Sequence, residues 1–151
     1  MQGGPHNNLT AGKALMFFEM LRPEFKKYQH QILKNAKALA YYLSKCGFQI
    51  VTGGTDNHLM LADLKNIGLD GLTAEKMLEE NNILANRNSI PGDVSPFKPS
   101  GIRLGTPAIT TRGFKEKEMR QVADLMRDCL IKKLSVKKEA EKLCRKFKLN
   151  Y

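Results

Sequence analysis

The stretch SGIRLGTPAITTRG, Ser100 to Gly113, sets one cation, Arg103, inside a run of small and apolar residues that reads as a buried strand. Strand alternation places Ile102 and Leu104 on one face and Arg103 on the other. If the apolar pair faces covering helices, the guanidinium faces the opposite side of the sheet. From a rigid strand it can form a planar, bidentate pair with a carboxylate. The plainer reading is an exposed strand arginine, or one paired with a local acid such as Asp63. Pattern alone favours the plainer reading, because half-exposed strand arginines are common.

Two further stretches carry weaker signals. Gly3 and Gly4 precede Pro5 and a helical pattern, and backbone N–H groups at such a turn can hold a phosphate. An ordinary turn explains the pair equally well. In TGGTDNH, the run Asp56, Asn57 and His58 suggests a metal, yet a lone histidine between a turn and a strand is more often structural. No HExxH, Walker A or GxSxG pattern occurs in the chain, and no aromatic-plus-basic constellation of the RNA-recognition kind. Cys46, Cys129 and Cys144 are far apart and form no CxxC pair, which argues against a zinc ribbon or a disulfide framework. Cys46 and Cys129 fall on apolar helical stripes and read as small buried hydrophobes.

These residues need elements to position them. Leu9 to Leu21 is apolar except for Lys13 and Glu19, so the helix predicted there must be covered on most sides. One small domain cannot do that, and the expected cover is another part of the protein or another subunit. Asn8 is its predicted N-cap, and Pro23 breaks it. A second helix is predicted from Pro23 to Cys46, closed by Gly47, with Phe25, Tyr28, Ile32, Ala36, Leu39, Leu43 and Cys46 on the face that covers a sheet. FQIVTGG and HLMLADL read as strands joined by a hairpin-type reversal. The next helix has Thr73 as predicted N-cap and Leu72 and Met77 as a hydrophobic staple. Residues 81 to 99 read as a short apolar run and a Pro-, Asn- and Asp-rich loop, of the length that is usually functional or disordered. After SGIRLGT, a helix from about Lys115 carries Met119, Val122, Ala123, Met126, Cys129 and Leu130 on one face. The order predicts an α/β sandwich: a small, mainly antiparallel sheet covered by helices.

The totals agree with a globular protein. The 151 residues are 42% hydrophobic and 26% charged, which excludes wholesale disorder. The net charge of +10 admits nucleic acid or an anionic membrane as partner. Much of the excess, however, lies in KKLSVKKEAEKLCRKFK, where Val136, Ala140, Leu143 and Phe147 form an apolar stripe and the lysines take the wet face. A solvated face is the simpler account, so nucleic acid is not the expected partner. Neither a signal-peptide pattern nor a membrane-spanning apolar run is present, and cysteine usage points to a reducing compartment. A cytoplasmic protein, or an organellar form of one, is expected. The opening MQGGPHNN starts on a turn with no preceding element, as in a part of a longer chain.

The motifs QGGPH, NAKALA, VTGGTDNHLMLADL, GLDGLTAE, NRNSIPGD, SPF, PSGIRLGTPAITTRGF and VADLM run in the order seen in serine hydroxymethyltransferase. The chain resembles the C-terminal portion of that family over nearly its whole length. The resemblance implies an aspartate-aminotransferase-like, fold type I pyridoxal-phosphate enzyme, of which this chain is the C-terminal small domain. It implies transfer of a one-carbon unit between serine and tetrahydrofolate, giving glycine. Arg103 matches the arginine that binds the amino-acid carboxylate. Gly3 and Gly4 match the turn that approaches the cofactor phosphate from the neighbouring subunit of a homodimer, or of a dimer of dimers. Asn88, Ser95, Pro96 and Phe97 match the folate-contacting loop, which is slightly shorter here than in some bacterial members.

The resemblance also implies a division: residues 1–22 would close the cofactor domain and connect it to the small domain, residues 23–151. The lysine that holds the cofactor lies in a His-Lys motif upstream of the Gly-Gly-Pro turn in the family. Here His6 is followed by Asn, His30 by Gln and His58 by Leu. The chain therefore offers no catalytic residue of its own, and by itself it is expected to be inactive. The competing reading is a split or repurposed binding module, taking either a complementing chain or nucleic acid.

Overall fold

The computed structural model describes residues 3–148. Within them, six helices and four strands follow one another as α1 (Asn7–Met20), α2 (Pro23–Lys45), β1 (Gln49–Ile50), β2 (Leu59–Asp63), α3 (Gly71–Glu80), β3 (Asn86–Asn88), β4 (Gly101–Gly105), α4 (Pro107–Thr111), α5 (Glu116–Leu130) and α6 (Lys137–Arg145). A short 3-10 turn, Lys65–Ile67, joins β2 to α3. The four strands form one antiparallel sheet in the order β1-β2-β4-β3. This is the small antiparallel sheet covered by helices that the sequence predicts.

The apolar periodicity decides which side is covered. Ile50, Met60, Ala62, Ile102 and Leu104 point from the sheet into a core that also takes Ala36, Leu39, Ala40 and Leu43 of α2. Ala74 and Leu78 of α3 join the same core, as do Met119, Ala123, Met126 and Leu130 of α5. At the α2 N-terminus the stripe frays: Phe25 and Tyr28 are only half-buried. Cys129 is buried in this core as expected, but Cys46 is half-buried and Cys144 exposed. Burial raises the Cys129 thiol pKa, and burial followed by the Asp124 carboxylate raises that of Cys46. Raised thiol pKa values disfavour the reactive thiolate.

Several boundaries differ from the expectation for identifiable reasons. α1 begins at Asn7, one residue before its predicted cap, and His6 at its N-cap makes no side-chain capping bond. α3 is capped by Asp70, not Thr73: the carboxylate accepts the Thr73 N–H at 2.8 Å and its hydroxyl at 2.9 Å. Asp70 has the extended backbone a cap needs, φ −92° and ψ 163°, so it takes the cap and Thr73, inside the helix, becomes its partner. The cap thus falls three residues before the predicted one, which puts Leu72 inside the helix rather than before it, 42% exposed. The segment read as a loop contains β3, and a five-residue helix, α4, follows β4.

The C-terminal helix is fastened at both ends. Asn81, at the end of α3, accepts the Val136 N–H at 2.7 Å, and Arg112 donates to the Cys144 carbonyl at 2.9 Å. Val136, Ala140 and Leu143 are buried while the lysines stay exposed, as the stripe predicts. Between α5 and α6 the exposed Lys133 sits in the left-handed region at φ 55°. That conformation strains any residue with a Cβ, and glycine relieves it. Lys133→Gly is expected to stabilise the chain by about 0.5–1 kcal/mol, read as an upward shift of the urea midpoint with the slope unchanged. An unchanged or lower midpoint would refute that account.

α1 stands apart from the core. None of its residues is buried, and Leu15, Phe17 and Phe18 are each near 60% exposed. Its apolar surface has no cover in the described structure, in keeping with the composition that calls for one.

Candidate functional site

Arg103 lies at the centre of β4, which pairs with β2 on one side and β3 on the other. Leu61 and Asn86 are its cross-strand partners and share its face. Ile102 is fully buried and Leu104 nearly so, whereas Arg103 is exposed on the opposite side. The alternation thus does what the sequence predicts, and the arginine is on a central strand rather than an edge. Its two same-face neighbours along the strand are Gly101 and Gly105, so no side chain of β4 crowds the guanidinium.

The strand is held firmly at its exit. The Thr106 N–H donates to the His58 carbonyl at 3.0 Å, and the Thr106 hydroxyl donates to the Ile32 carbonyl of α2 at 3.0 Å. Thr110 of α4 returns its hydroxyl to the Thr106 carbonyl at 2.7 Å and accepts from buried Asn35 at 2.8 Å. A fully bonded buried network of this kind fixes a strand against its helix.

The candidate local acid does not neutralise Arg103. Asp63 accepts the Lys65 N–H at 2.8 Å, and its other oxygen stands 3.8 Å from the Lys65 ammonium. Among the described residues Arg103 forms no ion pair. It is an exposed cation mounted on a central strand, unpaired among the described residues and chemically suited to a planar anion such as a carboxylate.

The segment between β3 and β4 borders this face. Asn88 ends β3 opposite Gly101, and its side-chain amide donates to the Ser89 carbonyl at 2.7 Å. The segment then turns at Ile90-Pro91-Gly92-Asp93. Gly92 is at φ 89°, and the Asp93 N–H closes the turn on the Ile90 carbonyl at 3.1 Å. Proline followed by a left-handed glycine is the type II pattern. The side chain of Ile90, 6% exposed, is seated over Gly101 where a Cβ would stand. It covers the sheet at Gly101, two residues along the strand from Arg103. At the apex, Ser95 turns the chain by accepting the Phe97 N–H on its hydroxyl at 3.2 Å; Pro96 is exposed and Phe97 is 92% exposed.

The candidate residues read from the sequence therefore divide. Arg103, Asn88 and the Ser95–Phe97 apex belong to one neighbourhood built on β3, β4 and their connection. Gly3 and Gly4 lie before α1, and nothing approaches within 4 Å of the positions their Cβ atoms would take. Their turn is open and exposed. In the β1–β2 turn, Asn57 accepts the Leu59 N–H at 2.9 Å, and Asp56 pairs with Lys37 at 3.6 Å. Those groups serve the turn, and among the described residues no cluster of three His, Cys, Asp or Glu is placed to hold a metal. A cleft of about 770 Å³ between α2 and the β1–β2 turn reaches Leu59 and Leu61, but Arg103 does not line it. Its charged groups, Lys37 and Asp56, neutralise each other.

Pattern reading missed Asn86, Ile90 and Asp93. The type II turn written in IPGD would have found the last two. Asn86 follows from Asn88 by a strand period of two once β3 is known.

Fold and site together define a small α/β unit with an exposed arginine on a central strand of its antiparallel sheet. Comparison with known proteins gives that class a family. The profile of the family described as serine hydroxymethyltransferase matches residues 1–126. A serine hydroxymethyltransferase of Caenorhabditis briggsae is 48% identical over 98% of this chain and 29% of its own length. Those of Crocosphaera subtropica and Prochlorococcus marinus are also 48% identical over 98% of this chain, and over 36% and 37% of their own lengths. The chain belongs to the serine hydroxymethyltransferase family, a family of fold type I pyridoxal-phosphate enzymes, and it spans about a third of the length of the curated relatives it matches. Among the described residues no helix is long and apolar enough to cross a membrane.

Proposed function

We propose that this chain supplies the small domain of a serine hydroxymethyltransferase that moves a one-carbon unit between serine and tetrahydrofolate, giving glycine. The observation that carries the proposal is Arg103: exposed, unpaired among the described residues and mounted on a central strand. There it would receive the carboxylate of serine or glycine and fix the orientation of the amino acid. Asn88 and the Ser95, Pro96 and Phe97 apex would contact the folate, Phe97 offering an exposed ring against which a flat heterocycle can pack.

Pyridoxal phosphate, when bound, supplies the electron sink for bond cleavage at the amino-acid α-carbon. The donors present fit a part of its site only. The open Gly3-Gly4 turn leaves room for a phosphate to approach its backbone, and the neighbouring subunit of a homodimer or dimer of dimers is where that phosphate would lie. The cofactor-bearing lysine would come from a portion outside this chain. Residues 1–22 would then be the end of the cofactor domain and the connecting helix, and residues 23–151 the small domain. The uncovered apolar surface of α1 supports that division.

The test mixes the purified 151-residue chain with pyridoxal phosphate and follows visible absorption, borohydride-fixed label and serine turnover. No specific labelled lysine and no turnover are expected from this chain alone. Stoichiometric label on one lysine here would overturn the assignment of that lysine to another portion. Turnover appearing only when the cofactor-bearing portion of a relative is added would support the whole reading.

A further inference from the structure

We propose that Asp93 is a positioning residue for the face around Arg103. Its carboxylate fastens the connection between β3 and β4, which keeps Ile90 seated on Gly101 and holds the Ser95–Phe97 apex at the border of that face. The inference rests on the proposed function only for what the apex touches.

The connection is long and mostly solvent-facing, so it needs a restraint to keep one shape. Its last residues are anchored to the body of the domain: the Gly71 N–H donates to the Pro99 carbonyl at 2.8 Å, and the Leu64 N–H to that of Ser100 at 3.0 Å. Its first residues continue from β3. Between these anchors one atom, Oδ2 of Asp93, accepts both the Ile90 N–H at 3.0 Å and the Ser100 N–H at 2.9 Å. The two ends of the connection thus meet on a single carboxylate oxygen. Such bonds to an ionised acceptor are stronger than neutral ones.

The electrostatics agree with the geometry. The hydroxyl and amide of Ser100, then the amide of Ile90, hold the Asp93 carboxyl below the usual carboxylate range, with Lys65 of the 3-10 turn adding to the effect. Lys65 itself pairs with Asp63 of β2. Among the described residues Asp93 bonds to backbone amides of its own segment. It acts through what it holds: Ile90 against the arginine strand, and the apex that projects Phe97.

Phe97 provides a direct readout, because chymotrypsin cuts after exposed aromatic residues in mobile segments. In the 151-residue chain, Asp93→Ala is expected to speed cleavage after Phe97 at least about tenfold, because both charge-assisted hydrogen bonds to the carboxylate are lost. Cleavage after Tyr41, exposed on α2, should not change. Asp93→Asn keeps a carbonyl oxygen that can accept both amides, and its rate should fall between wild type and Asp93→Ala. General destabilisation would instead speed cleavage at both sites together. Equal rates after Phe97 in wild type and D93A, or parallel acceleration at Tyr41, would overturn the proposal. In the enzyme completed by its cofactor-bearing portion, D93A should also raise the KM for tetrahydrofolate more than that for serine. Faster cleavage with both KM values unchanged would support the clasp and tell against a folate contact at the apex.

Discussion

Arg103→Ala is expected to lower kcat/KM for serine by about 10²–10³-fold in the enzyme completed by its cofactor-bearing portion, the cost of roughly 3–4 kcal/mol for removing one partner of a desolvated, hydrogen-bonded charge pair. The substituted protein should fold as well as the original. Arg103 is exposed and makes no ion pair among the described residues, so its loss should change stability by no more than about 0.5 kcal/mol. Arg103→Lys separates charge from shape. It keeps the cation but loses the planar fork, and it should recover only a minor part of the lost rate. Gly105 matters here, because it leaves the guanidinium room on one side, while Ile90 fills the space over Gly101 on the other. Steady-state kinetics with serine, beside thermal midpoints of the 151-residue chain, provide the measurement. Full activity in either variant would return Arg103 to the status of a surface charge.

The same residue shows how far sequence reading reaches. Alternation in GIRLG is local, so it correctly assigns Ile102 and Leu104 to the core and Arg103 to the open face. Whether β4 is a central or an edge strand depends on both of its neighbours, which lie far away in sequence. The β3 neighbour is especially hard to see. Asn86, Arg87 and Asn88 have no apolar alternation, and they form a strand because β4 offers a free ladder and Glu75 of α3 accepts both the Arg87 amide and its guanidinium. Tertiary context overrides propensity there. The long helices behave differently. α2 and α5 are legible because their apolar faces repeat over several turns, and Pro23 and Gly47 punctuate α2 at both ends. Helix caps are less secure: Asp70 and Thr73 both have the right chemistry for α3, and only the backbone decides between them. Asn88 and the Ser95–Phe97 apex come from resemblance to a family, not from pattern. For Asp93 the IPGD turn marks the position in the sequence, but not its bond to the Ser100 amide, which only the fold brings within reach.

Gly101→Ala is expected to be the most destabilising single methyl that can be added to the site. A Cβ there would overlap Cγ2 of Ile90 and stand 2.9 Å from the Asn88 carbonyl oxygen and 3.1 Å from that of Ala62. Those carbonyls belong to the strands on either side of β4, so the new methyl cannot be accommodated by a simple side-chain rotation. Either the ladder opens or Ile90 leaves its seat and takes the IPGD turn with it. Overpacking of this kind costs about 2–3 kcal/mol, a fall of roughly 5–10 °C in thermal midpoint for a chain of this size. Gly105 is an internal control on the same strand and face. Its added Cβ would meet the His58 carbonyl at 3.6 Å and Pro107 at 3.7 Å, ordinary contact distances. Gly105→Ala should therefore be nearly neutral, within about 0.5 kcal/mol. The cause can be separated by a double-mutant cycle with Ile90→Ala, which removes the overlapping branch. The two changes should be clearly less than additive, because each relieves what makes the other costly. Strict additivity would mean that Ile90 is not what keeps position 101 a glycine, and that the constraint lies in the ladder carbonyls alone.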